Sequence, residues 1–244
     1  MKFKYFSLLL VCFIIACNSS NYTLKNHDKN LIQVNSDKDS LILKMIKPYS
    51  DAIEIEMSKQ VTYTKKVLTK KGLESLLGNF VTDLCLKIVN EKDSIEKANM
   101  CVMNKGGLRT DLAVGGITIG DIYSLMPFEN ELVIVELNKE ELNNLFKHIA
   151  IRGEPFSGAK IILDSTNLIS ASINYSDANE HIKNNQIRIL TSDYLANGGD
   201  NMKFFIGKKQ EKIGLKVRDA IILYCSSVDT LNINLDKRIF IKNE

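Results

Sequence analysis

Apolar residues recur at two different periods along this chain, and their alternation constrains the fold more than any other feature. ESLLGNFVTDLCLKIV, residues 74 to 89, repeats at helical spacing through Leu76, Leu77, Phe80, Leu84 and Ile88, with Glu74 placed as an acid in the first turn. ELVIVEL, AKIILDS, LISASINY and NQIRILTSD are short β-type runs, and NKEELNNLFKHIA between the first two reads as a second helix. VTYTKKVL and Ala98–Met103 add strands, GLKVRDAIILYC a further helix, and KRIFIK a last strand. DSLILKMIKPYSDAIEIEMSKQ has helical spacing, with Pro48 expected to break or kink it. Thr118 and Asp121 are candidates to cap a short helix around Asp121–Leu125. Helices and strands interleave, and several strands lie close enough to pair as hairpins. The expectation is a mixed sheet flanked by helices, α/β (α+β), rather than a doubly wound parallel sheet.

The first residues bear on where the chain resides. MKFKYF carries Lys2 and Lys4, SLLLVCFIIA is uniformly apolar, and Ala16 precedes Cys17, the layout of an export signal over residues 1–16. The apolar run is short against roughly 30 Å of hydrocarbon. Ile14-Ile15-Ala16-Cys17 resembles the lipobox of bacterial lipoproteins, which implies a lipidated Cys17; an ordinary secretory signal with a chance cysteine and a short membrane span are the alternatives. Residues 17–37, rich in Asn, Lys, Ser and Asp, read as a lipid-anchored tether ahead of a folded domain at 38–244. The default location is the outer membrane, facing the periplasm.

Charge excludes some partners. The chain has 32 Lys+Arg and 29 Asp+Glu; removing residues 1–16 takes two lysines and no acid, leaving 30 against 29. A balance of +1 gives no electrostatic case for a nucleic acid polymer or an anionic membrane surface. Beyond the signal and anchor stand Cys85, Cys101 and Cys225, an odd number that rules out a full disulfide framework. One Cys85–Cys101 bridge or three buried thiols both fit an exported chain.

Three loops hold the candidate chemistry. Asn104-Lys105-Gly106-Gly107-Leu108-Arg109 pairs glycines, which let a ligand approach the backbone, with a fork of donors. Leu125-Met126-Pro127-Phe128-Glu129-Asn130 presents an aromatic ring on a stiffened turn, and Asp193-Tyr194-Leu195-Ala196-Asn197-Gly198-Gly199-Asp200 presents another with a carboxylate. Two rings can hold a flat heterocycle, each face contributing roughly 1–3 kcal/mol by analogy with base stacking. A carboxylate accepts from both hydroxyls of a ribose, and an amide such as Asn104 reads a base edge. Each loop taken alone is also ordinary turn chemistry.

Together these segments resemble the C-terminal domain of the 5′-nucleotidase family, over a stretch from about Lys44 to the C-terminus. ESLLGN is similar to that domain's E-S-x-x-G-N helix start, NKGGLR to its N-x-G-G-[IL]-R loop, MPFEN to P-F-x-N, and DYLANGGD to [FY]-L-A-x-G-G-D. The resemblance implies Phe128 and Tyr194 as plates around the base, Asp200 on the ribose, Asn104 on the base, and Arg109 toward phosphate or ribose. The family often has an arginine ahead of its E-S motif; here LTKKGLES leaves Lys71 or Lys70, without a bidentate fork. It also implies that hydrolysis belongs to a metallophosphoesterase domain with a divalent metal pair, announced by D-x-H, G-N-H-[DE] and G-H-x-H patterns. None is found here, and His27, His148 and His181 are the only histidines, with His148 expected half-exposed and structural. No cofactor is expected in this chain and no G-x-S-x-G, P-loop or C-x-x-C motif occurs. Two functions follow: the nucleotide-binding half of a split 5′-nucleotidase with a separate catalytic chain, or a stand-alone lipid-anchored nucleotide- or nucleoside-binding protein.

Overall fold

The computed structural model describes residues 39–92, 94–165, 167–173 and 186–242. The expected signal (1–16), Cys17, the tether (17–37), His27 and His181 lie outside the described residues. In chain order the elements are α1 (Ser40–Met57), β1 (Gln60–Thr64), α2 (Leu76–Asn90), β2 (Met100–Val102), β3 (Gly115–Thr118), α3 (Ile119–Leu125), β4 (Glu131–Leu137), α4 (Lys139–Arg152), β5 (Phe156–Ser157), β6 (Ala159–Asp164), β7 (Asn167–Ile173), β8 (Ile187–Ser192), α5 (Asp193–Ala196), β9 (Gln210–Lys216), α6 (Val217–Ser226), β10 (Thr230–Leu231) and β11 (Ile239–Ile241). The chain divides into units Met1–Met45 and Ile46–Glu244, and of the first only the start of α1 is described.

The central sheet runs β5-β2-β8-β4-β9. Its β2–β8 pair is parallel and the other pairs are antiparallel. Alternate side chains feed two cores. On one face Cys101, Leu132, Ile134 and Leu190 pack with Leu77, Phe80 and Leu84 of α2 and with Val217, Ala220 and Ile221 of α6. On the other, Met100, Val102, Val133, Val135 and Ile189 pack with Leu145, Phe146 and Ile149 of α4. Burial on both faces is why ELVIVEL is an unbroken apolar run rather than an alternating one. Two smaller sheets, β10-β1-β3 and β11-β6-β7, complete a mixed α+β fold.

Local chemistry sets the helix starts. Ser75 caps α2, its hydroxyl accepting from Gly78 N at 3.1 Å. Thr118 and Asp121 form the expected capping box, with α3 beginning at Ile119, and Asn138 and Glu141 form another on α4.

Several expectations need correction. Glu74 precedes the cap of α2 instead of sitting in its first turn; its carboxylate accepts from Asn79 Nδ2 at 2.7 Å and Asp236 N at 2.8 Å. Pro48 lies inside an unbroken α1, which has no buried residue. The Lys44 carbonyl that loses its N–H partner is therefore on a solvated helix, where water replaces the bond. Gly214-Leu215-Lys216 end the strand β9, so α6 starts three residues later than GLKVRD suggests. YLANGGDN is more helical than a simple turn, beginning in α5 and continuing as a 3-10 turn at Gly199–Asn201. Of the two cysteine readings, the structure has three buried free thiols.

Candidate functional site

Sheet polarity gathers the three loops at one edge. Parallel β2 and β8 end there, so the chain leaving Val102 enters Asn104–Arg109 and the chain leaving Ser192 enters Tyr194–Asp200. Antiparallel β4 begins at the same edge, with Leu132 opposite Ser192, which places Phe128–Asn130 just ahead of it. Lys216 at the end of β9 pairs with Glu131, bringing Val217 there as well. Loops beyond the carboxyl ends of neighbouring parallel strands are a recurrent place for ligand crevices.

A cavity of about 530 Å³ opens at this edge. Met103, Met126 and Val217 form its apolar lining, and Asn104, Arg109, Phe128, Tyr194 and Asp200 contribute the groups singled out from sequence. Phe128 and Tyr194 are 39% and 45% exposed, so both rings present part of their surface at the cleft. Lys71 is not among the lining residues; it is exposed, and its amide donates to Thr69 Oγ1 at 3.2 Å. Lys70 is engaged elsewhere, its ammonium on the Leu108 carbonyl and its amide on Asp111 Oδ1 at 3.0 Å.

Asp200 is the hub of one side. Its Oδ2 accepts from Asn104 Nδ2 at 2.6 Å and its Oδ1 from the Tyr194 hydroxyl at 3.1 Å. Each carboxylate oxygen keeps a further lone pair for a ligand hydroxyl. Asp200 and Asn201 have left-handed backbone (φ 49 and 65), a conformation Asp and Asn tolerate better than other side chains. Gly199 is required by packing, since a Cβ there would lie 2.5 Å from Tyr194 Cε1. Asn104 spends one amide hydrogen on Asp200, leaving the second free for a base.

The Phe128 side is held by charge. Glu129 is gripped by Lys216 and Arg218, and these hydrogen bonds bring its pKa down to about 2. Arg218 also reaches the Phe128 carbonyl at 3.4 Å and lies over Tyr123, 4.2 Å from the ring centre. The Arg109 guanidinium sits 5.6 Å from the centre of Phe128 and donates to Gly106 O at 3.2 Å. Its backbone amide bonds Leu125 O at 2.9 Å, tying this loop to the end of α3.

Sequence reading missed the apolar lining and the Arg218–Glu129 clamp. MPFEN signalled Glu129 as part of a loop, but nothing local pointed to a partner on α6. His148 is half-buried, as expected; its Nε2 has no hydrogen-bond partner among the described residues and its ring meets Phe204 edge-on. Burial and Arg152 depress its pKa, favouring the neutral ring.

A mixed sheet with loop-borne aromatic rings and a braced carboxylate around a cleft at one strand-end edge defines an α+β domain. Residues 58–206 match the family described as 5′-nucleotidase, C-terminal domain, and the chain belongs to that family, whose members bind nucleotide substrates. It is 25% identical over 228 residues to an apyrase of Tabanus yao, covering 81% of this chain and 41% of the apyrase. The fold is similar to a 5′-nucleotidase precursor from Thermus thermophilus, with TM-score 0.68, 20% identity, and coverage of 86% of this chain and 44% of that one. It is also similar to the Haemophilus influenzae NAD nucleotidase, with TM-score 0.59, 17% identity, and coverage of 80% and 40%. The chain thus spans less than half the length of these relatives.

Proposed function

We propose that this chain binds a nucleoside monophosphate or a related nucleotide in the 530 Å³ cleft. Phe128 and Tyr194 take the faces of the base, Asp200 accepts from the ribose hydroxyls, Asn104 uses its remaining N–H on the base edge, and Arg109 faces the phosphate side. The carrying observation is convergence: these five side chains, from loops up to 96 residues apart in sequence, line one cavity. The phosphate is held by Arg109 alone among these residues, so the base and ribose dominate affinity.

Among the described residues, no group of three or more His, Cys, Asp and Glu side chains is arranged to hold a metal ion. The divalent pair of a metallophosphoesterase therefore does not fit the donors among these described residues. In this reading a separate metallophosphoesterase chain carries the metals and cleaves the phosphate, while this chain, exported and held at the outer membrane through a lipidated Cys17, presents the nucleotide. Stand-alone capture of a nucleotide or nucleoside uses the same cleft and differs only in lacking that partner.

Calorimetry of the purified chain with AMP tests the first step; a saturable exotherm is expected, and its absence overturns the nucleotide reading. A phosphate-release assay with Mn²⁺ or Zn²⁺ tests the second. Release is expected only on mixing with a metallophosphoesterase chain; release by this chain alone overturns the split, and no release with any such partner leaves stand-alone capture.

A further inference from the structure

Glu154 has no part in the nucleotide reading, yet packing does not account for its place. It is a carboxylate only 4% exposed, directly behind the Asn104 loop. Gly153, in left-handed conformation at φ 64, ends α4, and β5 then pairs Phe156 with Val102 of β2. That geometry delivers Glu154 Oε2 to the amide of Lys105 at 2.6 Å. Its ion-pair contact, Arg152 Nε, is 3.8 Å away. Burial raises its pKa, and the charge of Asp200 adds to the effect, so the two carboxyls are electrostatic neighbours.

Lys105 opens the 3-10 turn Lys105–Gly107, and Asn104 occupies the cap position ahead of it. Asparagine is among the best residues there because its own side-chain oxygen accepts from amides of the first turn. Asn104 makes no such bond. Its Nδ2 donates to Asp200 while its Oδ1 lies against Gly107, where a Cβ would come within 2.6 Å, and the first amide of the turn, that of Lys105, goes to Glu154. A charged acceptor suits that place, since it faces the positive end of the turn.

We propose that Glu154 is a positioning residue of the cleft: by holding the Lys105 amide it fixes the start of the turn that carries Asn104, so that the Asn104 Nδ2 holds Asp200 in the pose that receives a ribose. The ligand named here rests on the nucleotide reading; the geometry does not. Without Glu154, the start of the turn loses its charged acceptor, Asn104 shifts with the backbone and Asp200 loses one of its two braces.

The test pairs ligand-free crystal structures with calorimetry on the full chain. Glu154→Ala is expected to open the Asn104–Asp200 contact and to lower AMP affinity roughly tenfold, the scale of one charged hydrogen bond. Affinity for 2′,3′-dideoxy-AMP, which lacks the hydroxyls, should barely change. Glu154→Gln keeps an acceptor and should restore both the contact and the ribose preference. Glu154→Met, which preserves side-chain volume, replaces the alanine variant if that one does not fold. An intact Asn104–Asp200 contact in either truncation overturns the proposal, as does equal loss for both nucleotides or failure of glutamine to rescue. If the wild-type chain binds no AMP, the nucleotide reading falls and the ligand-free structures alone decide the role of Glu154.

Discussion

Phe128 and Tyr194 line the same cleft, but they are held there by different forces. Phe128 stands on a loop fixed mainly by charge, through Glu129 with Lys216 and Arg218 and through the guanidinium of Arg109 near its ring. Tyr194 stands on a segment fixed by backbone geometry and short hydrogen bonds, through Gly199 behind its ring and Asp200 at its hydroxyl. The Lys216–Glu129 pair is exposed and screened by salt, whereas a steric backstop is not. The first side is therefore adjustable by solution conditions and the second is pre-organised.

That contrast predicts unequal mutational costs. Tyr194→Ala should hurt AMP binding more than Phe128→Ala, because it removes a stacking face and also the Asp200 brace. The double variant should lose both faces, roughly 2–6 kcal/mol or about thirtyfold and more by calorimetry. Equal single losses would mean that Tyr194 contributes only its ring. Asp200→Asn should come next, costing about ten- to hundredfold for AMP and much less for dideoxy-AMP, since a charged acceptor bond contributes roughly 1.5–3 kcal/mol. Gly199→Ala should follow: its Cβ would lie 2.5 Å from the Tyr194 ring, so the ring must shift, and tyrosine fluorescence together with AMP titration reads the displacement.

The smallest effect belongs to the charged side. Glu129 has its pKa lowered to about 2 by its bonds to Lys216 and Arg218. A depressed acid contributes above its ordinary value of 4.5 and loses that contribution as pH falls through about 2. Binding at neutral pH, where Glu129 is ionised, should weaken only a few-fold in high salt, and Arg218→Met should reproduce part of that loss and reduce its salt dependence, the exposed Lys216–Glu129 pair remaining. A salt response that persists unchanged in Arg218→Met would place the charge effect elsewhere in the cleft.

Much of this architecture is legible from pattern. α2 and β4 carry strong periodic or continuous apolar signals, and buried Leu77, Phe80 and Leu84 follow directly from helical spacing. Strand β9, QEKIGLK, is not legible: it is a sheet-edge strand with only Ile213 buried, so tertiary pairing rather than composition makes it extended. Strand β3 escapes for a related reason, being four residues that begin with two glycines. Pro48 obeys the rule for packed helices poorly because α1 buries nothing. In the cleft, the loop residues announce themselves by motif, but their meeting depends on the parallel pairing of β2 with β8, nearly ninety residues away. Lys71 is not a lining residue because spacing along the chain does not fix which lysine turns inward; Lys70 turns to the Leu108 carbonyl and Lys71 to solvent. Arg218 and Glu129, on different elements, leave no local trace of their bond.

The unpaired sulfurs buried in the core have a practical consequence. Cys85 and Cys225 have pKa values pushed up to about 12 by burial, and burial raises Cys101 as well. All three are thus nearly devoid of thiolate at neutral pH and shielded from reagents while the core is closed. Alkylation at these positions becomes a clock for global opening, one that needs no engineered probe and stays silent for as long as the native packing holds.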